Sequence, residues 1–209
     1  MHPKPELFFN LKAFEHRALF VAGEPVWAAF ANLPFYMGSM LARRGTGPYR
    51  SGQDALARFP LVHFDRPDRV RIAATAVVNP YTVIEGDVIL DEDAIVGPHA
   101  YIRGPVIIGR GAHVGHCSEI KRSVLFPGAR APHRNSILDS LLGWHVNVGG
   151  HLVTPNFRAD GRTVALRMPH GRIDTCLGKL GIIAGDGCFF GCAIHFNPGD
   201  CFQPNSRLI

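Results

Sequence analysis

Two cationic side chains, Arg103 and Lys121, stand eighteen residues apart, and each directly follows an isoleucine. If the chain coils with a period of eighteen residues, the two side chains stack on one outer face about 5 Å apart. Cations at that spacing repel each other, but they also form the kind of pair that holds a phosphate group. A mixed charge ladder of Glu85, Arg103, Lys121 and Asp139 on a solvated surface explains the same residues without a ligand.

Proton transfer is the second chemistry that the sequence offers, and His133 is its candidate residue. His133 lies in residues 128–135, which interrupt the repeat described below, so the fold has little need of an imidazole there. An unperturbed pKa of ~6.5 suits a general base near neutral pH. A solvated loop histidine explains the same position without any chemistry.

Other histidines raise the question of a metal site. His113, His116 and Cys117 are close in sequence, and His145 and His151 are six residues apart. Neighbouring positions of a coil face different ways, so these side chains are not expected to meet at one ion. We therefore predict no metal.

The elements that must position these side chains form a repeat of six residues. A column of large, mostly aliphatic residues runs through Ile72, Val78, Ile84, Leu90, Val96, Ile102, Ile108, Val114, Ile120 and Phe126. A helix repeats at 3.6 residues and a simple strand at 2, so a period of six predicts short strands joined by corners. Three such sides close one coil of a narrow prism that repeats about 4.8 Å higher. The expected fold class is all-β, a parallel β-helix.

The repeat is interrupted twice. Phe126 and Leu142 are sixteen residues apart, which is no multiple of six, so we expect an inserted loop or bulge near residues 127–140. A second inserted loop is expected near residues 155–179, where TVALR and GRID flank Pro169-His170-Gly171 like the strands of a small hairpin. The last repeats begin at Ala184, Phe190, Phe196 and Phe202, with phenylalanine in place of the aliphatic residue.

The N-terminal part differs in kind. Apolar residues between positions 4 and 43 have roughly helical spacing, broken at residues 23–25, which predicts two short α-helices. A polar, glycine-rich linker follows over residues 42–53. We expect residues 1–53 to form a helical cap and linker that covers the open first coil, and residues 54–209 to form the β-helix domain.

Composition narrows the partners. The formal net charge is +5, but only 19% of residues are charged and no dense basic run occurs, which favours a small anion over nucleic acid. Five cysteines without a CxxC pair, and no apparent signal peptide, predict reduced thiols and a cytoplasmic location. The most apolar window, residues 25–42, is too broken for a membrane span, so no membrane partner is expected.

Several spaced motifs carry a family resemblance: YIRGPVIIG, VGHCSEIKRS, RAPHRNSILDSLLG, HVNVGG, TPNFRADGRTV and GRIDTCLGKLG. Residues 96–200 resemble the acetyltransferase domain of the bifunctional sugar-1-phosphate nucleotidylyltransferases, which acetylate glucosamine-1-phosphate or galactosamine-1-phosphate. These are hexapeptide-repeat acyltransferases. The resemblance implies a left-handed parallel β-helix, a homotrimer with sites between subunits, and acetyl-CoA as the acyl donor.

The resemblance also implies roles for individual residues. His133 matches the catalytic base, and the residues that match the binding of the amino-sugar phosphate are Arg103, Lys121, Asn147, Asn156 and Arg162. The candidate cofactor contacts are Gly149 and Gly150, whose N–H groups would stabilise an oxyanion, together with Gly191 and Cys192. Packing in a Phe-rich core segment is the simpler explanation of Cys188 and Cys192.

Three departures from the family keep a second hypothesis open. Ser136 stands where the family commonly has tyrosine, residues 1–70 are too short for the nucleotidylyltransferase domain, and only two repeats follow the segment FFGCAIHF. The first hypothesis is acetyl transfer to an amino-sugar 1-phosphate. The alternative is a non-catalytic β-helix that binds a sugar phosphate or nucleotide sugar, or that only assembles with a partner enzyme.

Overall fold

The computed structural model describes residues 2–43, 49–168 and 171–209. Short parallel strands stack into three sheets, and each sheet is one face of a prism. We number the faces in the order in which each coil visits them from residue 70 onward. Face 1 contains the parallel strands β3 Val70–Ala73, β6 Val88–Leu90, β9 Val106–Ile108, β12 Val124–Leu125, β15 Leu141–Leu142, β20 Ile183–Ala184 and β22 Cys201–Phe202. At its edge, β1 Tyr49–Ser51 pairs with β3 antiparallel.

The other two faces complete each coil. Face 2 contains β4 Val77–Val78, β7 Ile95–Val96, β10 His113–His116, β13 Arg130–His133, β16 Asn147–Val148, β21 Phe189–Phe190 and β23 Arg207–Leu208. Face 3 contains β2 His63–Phe64, β5 Val83–Glu85, β8 Tyr101–Arg103, β11 Glu119–Lys121, β14 Ser136–Leu138 and β17 Val153–Thr154. The architecture is a left-handed parallel β-helix, which confirms the predicted fold class.

Alternation along each strand fills the prism. On face 3 the middle residues Ile84, Ile102 and Ile120 are fully buried, and their neighbours on both sides are only partly buried. Side chains that alternate between the two sides of a strand produce this pattern. The last coils end in three phenylalanine rings, Phe190, Phe196 and Phe202, whose centroids lie 4.9 to 5.1 Å apart. The six-residue columns therefore predicted the core.

The predicted insertion at residues 127–140 is wrong, because β13 and β14 stay in register with the coils above and below. The register changes at the corner between faces 3 and 1. There the coil shortens from eighteen residues to seventeen. Glu85 pairs with Arg103 and Arg103 with Lys121, but Lys121 pairs with Leu138, seventeen residues on. Two buried serines take the place of backbone hydrogen-bonding partners at these tight corners. The Oγ of Ser123 and that of Ser140 each donate to the carbonyl two residues back, at 2.7 Å.

The core column also shifts at this corner. Leu125, rather than Phe126, points into the prism with the other aliphatic residues. Phe126 points outward and stacks on Phe14 and Phe9, with ring centroids 3.9 and 4.6 Å apart.

Residues 155–180 leave the coil before the chain returns to face 1. They include an antiparallel hairpin of β18 Val164–Met168 and β19 Gly171–Leu177, as the sequence predicted. The turn residues Pro169 and His170 lie outside the described ranges. Val164 and Leu166 pack on the outer side of face 1.

The N-terminal segment contains less helix than the sequence predicted. Its first half forms 3-10 turns at Pro5–Leu7, Arg17–Leu19 and Val26–Ala28, and the single α-helix before residue 44 is α1, Ala29–Ala42. The segment lies against the outer side of face 1 instead of covering the first coil. There it buries an outward aliphatic row of Ile89, Ile107, Val124, Leu141 and Ile183.

The first coil is approached by a different element. Helix α2, Gly52–Arg58, contacts β3, and Ala55 belongs to the prism core. The proposed linker, residues 42–53, lies partly outside the described ranges at 44–48, and its end overlaps β1 and α2, so the boundary at residue 53 falls inside a helix. Within the described ranges, no helix is both long and apolar enough to cross a bilayer.

Candidate functional site

Arg103 and Lys121 stack on face 3 as predicted, because β8 and β11 pair with these two residues directly opposite each other. Both side chains point outward, since the isoleucine before each of them is fully buried. Neighbouring parallel strands are about 4.8 Å apart, so the two cations share one small area of surface.

The predicted charge ladder is wrong at its last position, Asp139. Leu138, not Asp139, stands above Lys121, because the coil has lost one residue. Asp139 instead turns into the corner with a φ of 47° and is fully buried. Its carboxylate pairs with Arg122 and accepts a hydrogen bond from the amide of Asn156. The cationic pair thus has no carboxylate directly above it.

Arg103 is held from two sides. Its guanidinium donates to Glu119 Oε1 at 2.7 Å and lies over the ring of Tyr101, 5.3 Å from the centroid. The Tyr101 hydroxyl in turn donates to Glu85 at 2.7 Å. Glu119 raises the pKa of Arg103, so the cation is permanent. Lys121 has no ion-pair partner in the described part of the chain.

His133 lies at the corner between faces 2 and 3, at the end of strand β13 and not in a loop. Its side chain is exposed, and its ring centroid is 6.2 Å from that of His116, one coil below. Its carbonyl accepts a hydrogen bond from the N–H of His151 at 2.9 Å. Arg134, which follows it with a φ of 45°, donates to Nε2 of His151 at 2.9 Å. The imidazole is therefore available to a ligand, while its backbone is fixed on both sides.

Asn147 stands on face 2 in a polar column that the sequence reasoning missed. Arg130 pairs with His113 below it and with Asn147 above it. Burial, then the charges of Arg130 and His133, lower the pKa of His113 below its usual value, so this imidazole is neutral at pH 7. A spacing of seventeen residues, in place of eighteen, is the signal in the sequence that links the three residues.

The candidate cofactor residues lie where successive coils come closest. Gly150 is buried beside His133, and a Cβ at Gly150 would be 3.3 Å from that of His133. A Cβ at Gly149 would be 2.5 Å from the carbonyl carbon of Gly191, so a side chain cannot be accommodated there. Cys192 is exposed, contrary to the packing explanation, and its Sγ accepts from the Gly150 N–H at 3.3 Å. Cys188 is buried, as that explanation predicted.

Asn156 and Arg162 stand apart from these groups, in residues 155–180. One N–H of the Asn156 amide donates to Asp139, which leaves its Oδ1 atom and the second N–H for a substrate. Arg162 is exposed, and its backbone N–H donates to Asp160 at 3.1 Å.

The chain therefore brings the candidates together only in part. Face 3 carries Arg103 and Lys121, face 2 carries Asn147, and His133 lies at the corner between them. The neighbours missed from the sequence are Tyr101, Glu119, His113 and Arg130. Phosphate binding fits face 3, and proton transfer fits the corner.

The histidines considered for a metal do not form a ligand set in the part of the chain that the structure describes. The one group of three suitable side chains there is Glu15, His16 and Asp91. His16 and Asp91 are almost fully buried and bonded to each other, which is the geometry of a structural pair.

These features define the class of protein, a left-handed β-helix of hexapeptide repeats with a polar, cationic outer surface. A family model described as the GMPPB C-terminal domain matches residues 84–167. That range includes His133 and all the candidate substrate-binding residues.

Two individual relatives share sequence with this chain over part of its length. "Bifunctional protein GlmU" of Methanocaldococcus jannaschii is 35% identical over 97 residues, which are 44% of this chain and 24% of the relative. "Bifunctional sugar-1-phosphate nucleotidylyltransferase/acetyltransferase" of Sulfurisphaera tokodaii is 31% identical over 81 residues, 39% of this chain and 20% of the relative. A solved structure, the acetyltransferase domain of PglB from Neisseria gonorrhoeae, aligns with a TM-score of 0.31 and 17% identity over 61% of this chain and 48% of that chain. The resemblance to these acetyltransferase domains is confirmed, although the match spans a quarter or less of the two sequence relatives' length.

Proposed function

We propose that the protein transfers an acetyl group from acetyl-CoA to the amine of an amino-sugar 1-phosphate. The observation that carries the proposal is the stacked pair Arg103 and Lys121 on face 3 together with an exposed histidine, His133, at the adjoining corner, all within the range that matches the GMPPB C-terminal domain model. A phosphate monoester carries close to two negative charges at neutral pH, and two adjacent cations complement it. The name of the Sulfurisphaera relative combines a sugar 1-phosphate with an acetyltransferase, which agrees with this assignment.

His133 is the base in this proposal. The amine nitrogen attacks the thioester carbonyl carbon, a C–N bond forms, and His133 accepts the proton that the nitrogen loses. The tetrahedral intermediate then collapses, the C–S bond breaks, and the CoA sulfur leaves and takes up a proton. The N–H groups of Gly149 and Gly150, the expected donors to the oxyanion of the intermediate, already donate to the Phe190 carbonyl at 2.8 Å and to Cys192 Sγ at 3.3 Å, so they are not free for this role. Gly191 and Cys192 continue the same corner along the axis, as further candidate contacts for CoA.

A homotrimer completes the site in the proposal. Face 1 is buried under the N-terminal segment and the hairpin, so faces 2 and 3 are the long faces left for a second copy. Lys121 lies on face 3 and Asn147 on face 2, so a copy that packs face 2 against face 3 brings these two residue types to one ligand. Asn156 and Arg162 then approach from residues 155–180.

A cytoplasmic location fits the proposed donor, acetyl-CoA, and the five free cysteines. Neither nucleic acid nor a membrane is needed as a partner. The protein's ligands would be small molecules.

An acceptor screen tests the function. Purified protein is incubated with acetyl-CoA and single acceptors, and the released thiol is detected. Glucosamine-1-phosphate and galactosamine-1-phosphate should release thiol, whereas the unphosphorylated amino sugars should release much less. Equal release with and without the phosphate would remove the role of the cationic pair, and no release with any acceptor would contradict the transferase.

Ser136 favours a second candidate, the non-catalytic binding module. Ser136 is aligned with Glu119 on face 3, one coil above it, and offers only a short hydroxyl where related domains commonly have tyrosine. A module of this kind binds the sugar phosphate but not the donor. Thermal shift separates the two candidates, since acetyl-CoA should raise the melting temperature of a transferase and leave that of the module unchanged.

A further inference from the structure

Arg130 is an exposed cation on face 2 that belongs to none of the assigned groups. Its strand, β13, begins at Arg130 and ends at His133, so the two residues share one rigid element. No ion pair links Arg130 to a carboxylate within the described ranges. By contrast Arg103, Arg122 and Arg158 all have such partners.

The neighbours of Arg130 in the column are neutral hydrogen-bonding groups. His113 lies one strand below and Asn147 one strand above, each about 4.8 Å away along the axis. His113 is half-buried, and its lowered pKa keeps it uncharged beside Arg130. A neutral imidazole and an amide can each donate one hydrogen bond to an anion that the guanidinium attracts.

The geometry points to a second phosphate site on face 2, made of Arg130 with His113 and Asn147, that holds an anionic group of a ligand whose reacting end lies at His133. A guanidinium binds phosphate oxygens through two parallel N–H groups, and the flanking donors complete a three-sided set. Within one chain, Arg103 and Lys121 lie on the other side of the His133 corner. In the proposed trimer, Asn147 would border the Lys121 of a second copy, so Arg130 would extend the shared site by a further phosphate-binding position.

Two ligands of the proposed reaction carry suitable groups, and the inference rests on that proposed function for their identity. One is the diphosphate of CoA, and the other is the phosphate of the acceptor. Both present the same chemistry, a phosphate oxyanion. The experiment below assigns the source.

Arg130→Gln removes the charge and keeps a polar side chain. Arg207→Gln is the matched control, because Arg207 is an exposed arginine in the same column of face 2, beyond Asn147 and Phe189. Both variants should melt within about 1 °C of the unchanged protein, since exposed charges contribute little to folding. Arg130→Lys keeps the charge and provides a further variant if the glutamine variant expresses poorly.

Calorimetry with pyrophosphate, CoA, pantetheine and glucosamine-1-phosphate tests the site. Arg130→Gln should weaken pyrophosphate binding at least tenfold, about 1.4 kcal/mol, with Arg130→Lys between it and the unchanged protein and Arg207→Gln equal to the unchanged protein. If the site holds the donor, Arg130→Gln weakens CoA and leaves pantetheine unchanged, because pantetheine lacks the diphosphate. If the site holds the acceptor, Arg130→Gln weakens glucosamine-1-phosphate instead.

Binding of pyrophosphate, CoA and the sugar phosphate that is unchanged in Arg130→Gln overturns the inference, as does equal weakening in Arg207→Gln. Absence of pyrophosphate binding to the unchanged protein overturns it as well. The thiol-release assay keeps the two proposals separate. If thiol is released but Arg130→Gln binds every ligand like the unchanged protein, the transferase proposal holds and the second phosphate site is rejected. If Arg130→Gln weakens pyrophosphate binding but no thiol is released, the phosphate site holds and the transferase proposal is rejected.

Discussion

The buried pair of His16 and Asp91 should fasten the N-terminal segment to face 1, and replacing Asp91 with alanine tests this. The two side chains are only 1% and 2% exposed, and Nε2 of His16 lies 3.0 Å from Oδ2 of Asp91. The Tyr49 hydroxyl donates to the same carboxylate at 2.7 Å, and the Tyr36 hydroxyl lies 2.7 Å from Nδ1 of His16. Asp91→Ala therefore leaves two polar groups without their partner.

The expected loss follows from these contacts. A buried hydrogen-bonding group left unsatisfied costs about 1–3 kcal/mol, so we assign about 2 kcal/mol to buried His16 and about 1 kcal/mol to partly buried Tyr49. A chain of this length loses about 2–4 °C of melting temperature per kcal/mol, so the variant should melt about 6–12 °C lower. The assay is thermal unfolding followed by circular dichroism.

Glu92→Ala is the matched control, because Glu92 is adjacent to Asp91 and its bond to Arg110, 3.0 Å long, lies at the surface. The free energy of unfolding of the Glu92→Ala variant should differ from that of the unchanged protein by less than about 1 kcal/mol. Equal melting temperatures for Asp91→Ala and Glu92→Ala would refute the reasoning. The N-terminal segment would then be held by its apolar contacts alone.

Four further outcomes are expected. His133→Ala should lower turnover about a hundredfold or more and leave the melting temperature unchanged, measured by thiol release; full activity would exclude a base at this position. Arg103→Ala and Lys121→Ala should each weaken binding of the sugar phosphate in calorimetry, with stability within about 1 kcal/mol of the unchanged protein. Light scattering at micromolar concentration should give a trimer, and a monomer would remove the support for a shared site. Burial raises the pKa of Cys201 to about 11 and also raises that of Cys188, so at pH 8 these two thiols should be alkylated last, in mass spectrometry, after the exposed Cys117, Cys176 and Cys192.

The prism could be predicted from the sequence because its physical cause is local. Each short strand must bury one large aliphatic residue, so Ile84, Ile102 and Ile120 recur at a fixed step and reveal the coil. The same step places Arg103 and Lys121 together, since both belong to the coils of eighteen residues. The hairpin was visible for a similar reason, since its two strands are close in sequence.

The corners were decided by the tertiary structure. A coil closes with seventeen residues where a buried serine hydroxyl replaces a backbone partner. The seventeen-residue spacing of His113, Arg130 and Asn147 is present in the sequence, but only the assembled coil shows that it belongs to a shortened corner. The one-residue change places Leu138 above Lys121, buries Asp139, and brings Arg130 between His113 and Asn147. The position of the N-terminal segment is a second such case. Its apolar residues show that it must pack on something, but only the assembled prism supplies the aliphatic row of face 1 that it covers.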